Sequence, residues 1–404
     1  MRSFLVFLFL SSPLLAAEPQ AHRDLSYAEP KNERQTLDVY APAEGSDHSV
    51  VLWLHGGGWR AGDKSAVQKK PEAFVEMGFV FVSTNYRFVP NVTVKEMTGD
   101  IAKAIRWIHD HAKDYGGDPD TIYVMGHSAG AHLAALVCTD DRYLKAEGVS
   151  LSIIKGCVPI DTAAYDVPQK ILSLSAARPG LAAESPFGDA ASQKDVSPAL
   201  HIAKGKSIPP FLILHVSDRP DSRSQSKMFA SALGGVGISA EVVPAEGKTH
   251  ATINSELGLP RDKATQAVWR FLTQAEEMKR LQGTWTMESF LEDGKANAFA
   301  ELMKPVFRMT IEGNSISSVY ASSAEASEPV RIKVDPSLSP KTIDFLHTKP
   351  EPHTEFAIYQ LDEGKLKLCS AALGKDRPTE FSSQPGSGQS LSTWKRIEVV
   401  NTLD

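Results

Sequence analysis

Ile122-Tyr123-Val124-Met125-Gly126-His127-Ser128-Ala129-Gly130 decides how this chain is read. Ile122 to Met125 is a short apolar run that predicts a buried strand, and Ala131 to Cys138 beyond it predicts a helix. Between them stands G-x-S-x-G. In a strand–turn–helix setting the two glycines permit a tight turn that lifts Ser128 to the carboxyl edge of a sheet. Its hydroxyl then sits over a helix N-terminus, whose unbonded N–H groups favour developing negative charge.

Further apolar runs lie on either side: Val50 to Leu54, Phe79 to Val82, Ile153 to Ile160, Phe211 to His215 and Glu241 to Val243. Helical patterns separate them, as at Ile101, Ile105, Ile108 and Ala112, at Lys227 to Leu233 and at Ala264 to Leu281. Continuous apolar strands alternating with helices predict an α/β fold, a doubly wound and mostly parallel sheet covered on both faces.

The run Val50 to Leu54 ends in His55-Gly56-Gly57-Gly58-Trp59. A structural turn rarely needs three glycines, whereas a tetrahedral oxyanion needs backbone N–H groups that can approach it closely. The expected oxyanion donors are the N–H groups of Gly57, Gly58 and Ala129. A serine nucleophile also needs a base and an acid to orient it. Lys248-Thr249-His250 follows the last predicted strand and makes His250 the base. For the acid, Asp218 after the strand Phe211 to His215 is preferred, with Asp221 and Asp161 as rivals. His127 and His132 are expected to support packing, while His109 and His111 lie along a helix.

After about residue 280 the apolar period changes to two. Phe307, Met309 and Ile311 alternate with other types, as do Val330, Ile332 and Val334. Leu366 and Leu368 are expected to pair with Phe356 and Ile358 across the turn Asp362-Glu363-Gly364. Around eight short strands predict a small antiparallel barrel or sandwich. The expected division is a signal peptide at 1–17, an α/β domain at 18–276 and an all-β domain at 277–404. Met1-Arg2-Ser3, an apolar run Phe4 to Leu10 and Ala16-Ala17 have the form of a secretory signal.

With 404 residues, 42% hydrophobic and 23% charged, the composition is that of a folded globular protein. A net charge of -6 without long runs of like charge excludes an electrostatic footprint for nucleic acid. No stretch is apolar for long enough to insert stably in a membrane. Cys138, Cys157 and Cys369 are too few for a disulfide scaffold, and a Cys138–Cys157 bond is left open. Neither CxxC nor HExxH occurs, so no metal site is expected.

These motifs resemble the α/β-hydrolase superfamily, in particular HGGG-motif esterases around hormone-sensitive lipase and the acetyl-xylan and feruloyl esterase-like hydrolases. The likeness extends to Asn85-Tyr86-Arg87, Gly117-Asp118-Pro119-Asp120, Ser197-Pro198 and Gly247-Lys248-Thr249-His250. Two departures stand out. Ala131 replaces a third glycine, and His215-Val216-Ser217-Asp218-Arg219-Pro220-Asp221 is one residue shorter than the common H-G-x-x-D. Counting back from Gln225 returns Asp218. Residues 162–205 would form a variable cap. The C-terminal part resembles a bacterial lipocalin-like domain, opening on Gly283-Thr284-Trp285, and that likeness implies Trp285 packed under a late Arg396.

The N-terminal signal implies an exported protein, periplasmic or secreted, and the resemblance implies a serine esterase without a cofactor. Its implied substrates are short acyl esters, including acetyl or feruloyl esters of polysaccharide. An amidase or peptidase using the same residues is the alternative within hydrolases. From another class, the barrel could bind a ligand beside an inactive hydrolase scaffold. Oligomeric state is left open.

Overall fold

The computed structural model describes residues 19–177, 185–296, 307–320, 326–336, 338–362 and 364–397. The expected signal peptide, 1–17, lies outside them. The chain forms two compact units that divide between Val268 and Trp269. The division falls inside the helix Lys263–Leu281, ahead of the boundary expected after residue 276.

The first unit is built on eight strands: β1 (Gln20–Ser26), β2 (Thr36–Ala41), β3 (His48–Leu54), β4 (Val80–Thr84), β5 (Gly117–His127), β6 (Ile154–Ile160), β7 (Phe211–Val216) and β8 (Ala240–Ala245). Their order across the sheet is β1-β2-β4-β3-β5-β6-β7-β8. The six strands read from apolar runs are parallel to one another, as expected. The added pair, β1 and β2, is antiparallel at one edge. β1 reads Gln-Ala-His-Arg-Asp-Leu-Ser and is mostly exposed, so it has neither the apolar run of a central strand nor a clean alternation.

Helix α1 (Lys70–Glu76) precedes β4. Helix α2 (Val94–His111) starts at a capping box, with Thr93 Oγ1 accepting from Glu96 N at 3.2 Å and Glu96 Oε2 accepting from Thr93 N at 2.8 Å. That exchange satisfies two otherwise orphaned N–H groups. Met97, Ile101, Ala104, Ile105 and Ile108 form its buried stripe. Helix α3 (Ala129–Thr139) has all eleven residues buried. A helix apolar all round belongs in a core, and α3 lies between the sheet and its neighbours directly behind Ser128. His109 and His111, in the last turn of α2, are partly exposed beside Asp110 and Asp114.

The second unit contains β9 (Gly283–Glu292), β10 (Lys295–Ala296), β11 (Phe307–Glu312), β12 (Ser315–Tyr320), β13 (Val330–Asp335), β14 (Lys341–His347), β15 (His353–Asp362), β16 (Lys365–Ser370) and β17 (Ser390–Arg396). β9 pairs with both β11 and β17, so eight antiparallel strands close into a barrel and the short β10 hangs on β9. The closed barrel fits a lipocalin-like domain. Trp285, Ile311, Val334, Ile343, Tyr359 and Leu366 are among the side chains that fill it. The Arg396 guanidinium lies 4.5 Å from the centre of the Trp285 ring, and Trp285 Nε1 donates to Leu281 O at 3.1 Å. The expected Trp–Arg pair therefore meets.

One register differs from expectation. Leu366 lies opposite Leu361, and Leu368 opposite Tyr359. Phe356 and Ile358 are on the other face, because a register shift of one residue exchanges the two faces of a strand.

Candidate active site

Ser128 sits between β5 and α3 at φ 57°, ψ -114°, a conformation that L residues rarely adopt. Two glycines make the turn possible. A Cβ on Gly126 would be driven into the Gly130 carbonyl, and one on Gly130 into the carbonyls of Leu54 and His55. The turn is thus wedged against the end of β3, where the three-glycine loop begins. Ser128 N donates to Ile160 O at 2.9 Å, fastening the turn to β6.

Gly57 and Gly58 have φ of 130° and 61°. A Cβ at Gly57 would enter the Ala61 carbonyl, whereas Gly58 faces open space. Gly57 O accepts from both Arg60 N and Ala61 N at 3.1 Å, which turns the loop back on itself. A Cβ built on Gly56 would stand 3.2 Å from Ser128 Cβ, so the loop runs alongside the nucleophile. His55 Nδ1 pairs with Gly56 O at 2.7 Å, and its ring stacks on Tyr86 at 4.4 Å. Tyr86 donates to His55 O at 2.6 Å. Arg87 grips the buried Asp100 of α2 through Nε at 2.8 Å and Nη2 at 2.6 Å. Asn85-Tyr86-Arg87 therefore braces the glycine loop and α2. Burial pushes the His55 ring down to about 4, so it is neutral at pH 7.

His250 stands on the loop after β8. Its Nε2 is 2.9 Å from Ser128 Oγ, and its Nδ1 is 2.6 Å from Asp161 Oδ2. Both distances are those of a nucleophile–base–acid relay. The acid is the outcome that differs from the preferred reading. Asp218 is exposed in the turn after β7, and Asp221 lies against the outer side of Arg219, at 3.4 Å. The residue at His250 is Asp161, the rival from the end of β6. The reason lies in the shortened segment. Arg219 N closes a tight turn onto Val216 O at 3.2 Å, and the next helix starts immediately at Pro220. No slack remains to swing Asp218 inward, and Arg219 takes the inner place.

Asp161 has φ 54° and a fully buried side chain. Oδ1 accepts from Val216 N at 3.1 Å, and Oδ2 accepts from Arg219 Nη1 at 2.6 Å as well as from His250. Burial works against its charge. Hydrogen bonds from His250, Ser222 and Val216 and the Arg219 charge outweigh that and hold the carboxyl well below the usual carboxylate range.

Two further histidines have defined work. His127 Nε2 bonds His250 O at 2.8 Å, and the two rings lie 4.5 Å apart. Burial, with the nearby His250 adding to it, pushes His127 down to about 3, so the neutral ring donates to the backbone of the base. His132 accepts from Trp59 Nε1 at 3.3 Å and bonds Val196 O at 2.8 Å through Nε2. Phe187 packs edge-on against Trp59, with centroids 4.7 Å apart. The cap segment is thereby joined to the glycine loop. Cys138 and Cys157 are free and buried. Among the described residues, no group of three or more His, Cys, Asp or Glu could hold a metal ion. None of the described helices is long and apolar enough to cross a membrane.

Arg219 is the site residue that the sequence reading missed. A signal existed, since counting forward from His215 in the H-G-x-x-D pattern lands on Arg219 rather than on an aspartate.

Residues 37–233 match the BD-FAE family model. The chain is similar to a probable isoprenylcysteine α-carbonyl methylesterase of Arabidopsis thaliana, 28% identical over 251 residues, covering 58% of this chain and 52% of the relative. It thus spans about half the length of that relative. Among solved structures it resembles a truncated carbohydrate esterase from gut microbiota, with a TM-score of 0.55, 20% identity and coverage of 65% of this chain and 98% of the other. A thermophilic esterase of the planctomycete Thermogutta terrifontis, solved with butyrate bound, aligns at TM-score 0.51 and 27% identity, over 63% of this chain and 93% of the other.

Proposed function

We propose that this α/β-hydrolase is an exported serine carboxylic-ester hydrolase acting on short acyl esters, with esters of polysaccharide as the substrate class. The observation that carries the reading is the Ser128–His250–Asp161 relay, at 2.9 and 2.6 Å, beside a glycine loop. Ser128 Oγ attacks the ester carbonyl while His250 Nε2 takes its proton. Asp161 keeps the Nδ1 proton in place and stabilises the imidazolium that forms. The N–H groups of Gly57, Gly58 and Ala129 receive the oxyanion, each such donor being worth about 3 kcal/mol in the transition state. His250 returns the proton to the leaving alcohol, and water then repeats the sequence to free the acid.

Support for a short acyl group comes from the butyrate bound to the Thermogutta esterase. Support for a carbohydrate ester comes from the gut esterase that shares the fold. Export rests on the form of residues 1–17.

Hydrolysis of p-nitrophenyl esters from C2 to C12 by the wild type and Ser128→Ala tests the proposal. Turnover of short esters that disappears in Ser128→Ala is the expected result. Turnover surviving in Ser128→Ala would reject the nucleophile. Silence on every ester, with cleavage of matched anilides, would make the protein an amidase.

A further inference from the structure

Arg219 approaches the relay from the side opposite the nucleophile. Its Nη1 is 2.6 Å from Asp161 Oδ2 and 2.7 Å from His250 Nδ1. When His250 Nε2 is free to accept from Ser128, Nδ1 carries the proton. Nη1 and Nδ1 are then two donors brought together because both point at one carboxylate oxygen. A cation held there has two effects of opposite sense. It fixes and charges the carboxylate that steadies the base, and it opposes positive charge on the base itself.

Resting on the serine-hydrolase reading, we propose that Arg219 is a positioning residue that anchors Asp161 and, by its charge, keeps His250 unprotonated and competent in more acidic solution than the same relay would be without it.

Among the described residues, the surroundings leave Arg219 as the one able to do this. From the end of β6, Asp161 faces the imidazole. From the end of β5, the neutral His127 ring lies 4.5 Å away, with Ser128 beside it. The partly exposed Arg219 comes from the turn after β7, with Asp221 3.4 Å behind its Nη2. Lys70 of α1 acts on His127. Lys248, two residues before the base, is paired with Glu256 and Asp262. Among the described residues, Arg219 is the unit positive charge in contact with the ring.

The test is the pH profile of kcat/KM on p-nitrophenyl butyrate for the wild type, Arg219→Gln and Arg219→Lys, with Tm measured in parallel. Removing a unit charge at this range from a half-exposed ring should move the acid limb of Arg219→Gln upward by about one pH unit. Arg219→Lys should stay near the wild-type limb. A role confined to shaping the turn would lower kcat at all pH values without moving the limb, and that outcome would overturn the proposal. An equal displacement in Arg219→Lys would overturn it too. If Arg219→Gln does not fold, Arg219→Met replaces it. An NMR titration of the His250 ring in the Ser128→Ala background, with and without Arg219→Gln, reads the same displacement without turnover. The Arg219 proposal can therefore fail while the esterase reading stands, and the reverse.

Discussion

Replacing Asp161 by Asn changes one heavy atom and takes the negative charge out of the relay. The carboxylate accepts from Val216 N, Arg219 Nη1 and His250 Nδ1 in a place where its side chain has no exposure. With its oxygen on Val216 N, a carboxamide turns its NH₂ group against both the Arg219 N–H and His250 Nδ1; reversed, it keeps those two partners and sets the NH₂ group against Val216 N–H. The first orientation forces Nδ1 to accept and leaves Ser128 facing a donor, and the second holds the ring with a neutral oxygen in place of a charged one. The imidazolium of the transition state also loses its adjacent negative charge while Arg219 stays. A fall in kcat/KM of about 10³- to 10⁴-fold, or about 4 to 5 kcal/mol, is expected. Asp218→Asn, in an exposed turn, should stay within about twofold. The assay is kcat/KM on p-nitrophenyl butyrate at pH 8, with Ser128→Ala as the blank and Tm as the folding control. Loss of activity in Asp218→Asn with Asp161→Asn near wild type would refute the assignment.

The other predictions concern stability and chemistry around the site. Lys70 is buried on α1, with Nζ 2.9 Å from Asn254 O and 4.5 Å from the centre of the Trp53 ring, and burial pushes it down to about 7. From about pH 7 up to the ordinary lysine range the unfolded chain binds the extra proton, so stability should rise with pH there. Lys70→Met should raise Tm most at pH 6 and flatten that rise, and a pH-independent drop would show the amine held charged by its carbonyl partners. Gly57→Ala should fail to give soluble folded protein, because its Cβ meets the Ala61 carbonyl. Gly58→Ala, with open space but a φ of 61°, should fold and lose about 1 kcal/mol by urea titration. Equal behaviour of the two would contradict the loop geometry. In a thiol titration with DTNB, Cys138, Cys157 and Cys369 should react only after denaturation, as three groups. A count of one would mean that Cys138 and Cys157 are joined.

Ser128, His250 and the glycine loop were legible because their constraints are local. Gly126 and Gly130 are required by backbone atoms that nothing larger can approach, and the flanking strand and helix announce themselves within a dozen residues. The acid is different. Asp161 and Asp218 each follow an apolar strand, and chain order is satisfied by both. What separates them is the length of one turn, where Pro220 starts a helix too early for Asp218 to turn inward. The same holds at the edges of the fold. β1 is polar because solvent lies beside it, and the pairing of β15 with β16 depends on one residue of turn register, which apolar spacing alone does not contain.

Ser128 has a φ of 57°, and its conformation is maintained by its neighbours against its own preference. Glycine would relax there at little steric cost. Ser128→Gly should therefore melt above the wild type, by the order of 1 kcal/mol, while catalysing nothing. A lower Tm would mean that the serine is at ease in the turn. A position where the chain could gain robustness is then one that the proposed chemistry obliges it to leave unimproved. On the proposed chemistry, copies of the gene released from selection for turnover should tolerate glycine at Ser128 and keep the sheet, the glycine loop and the barrel intact.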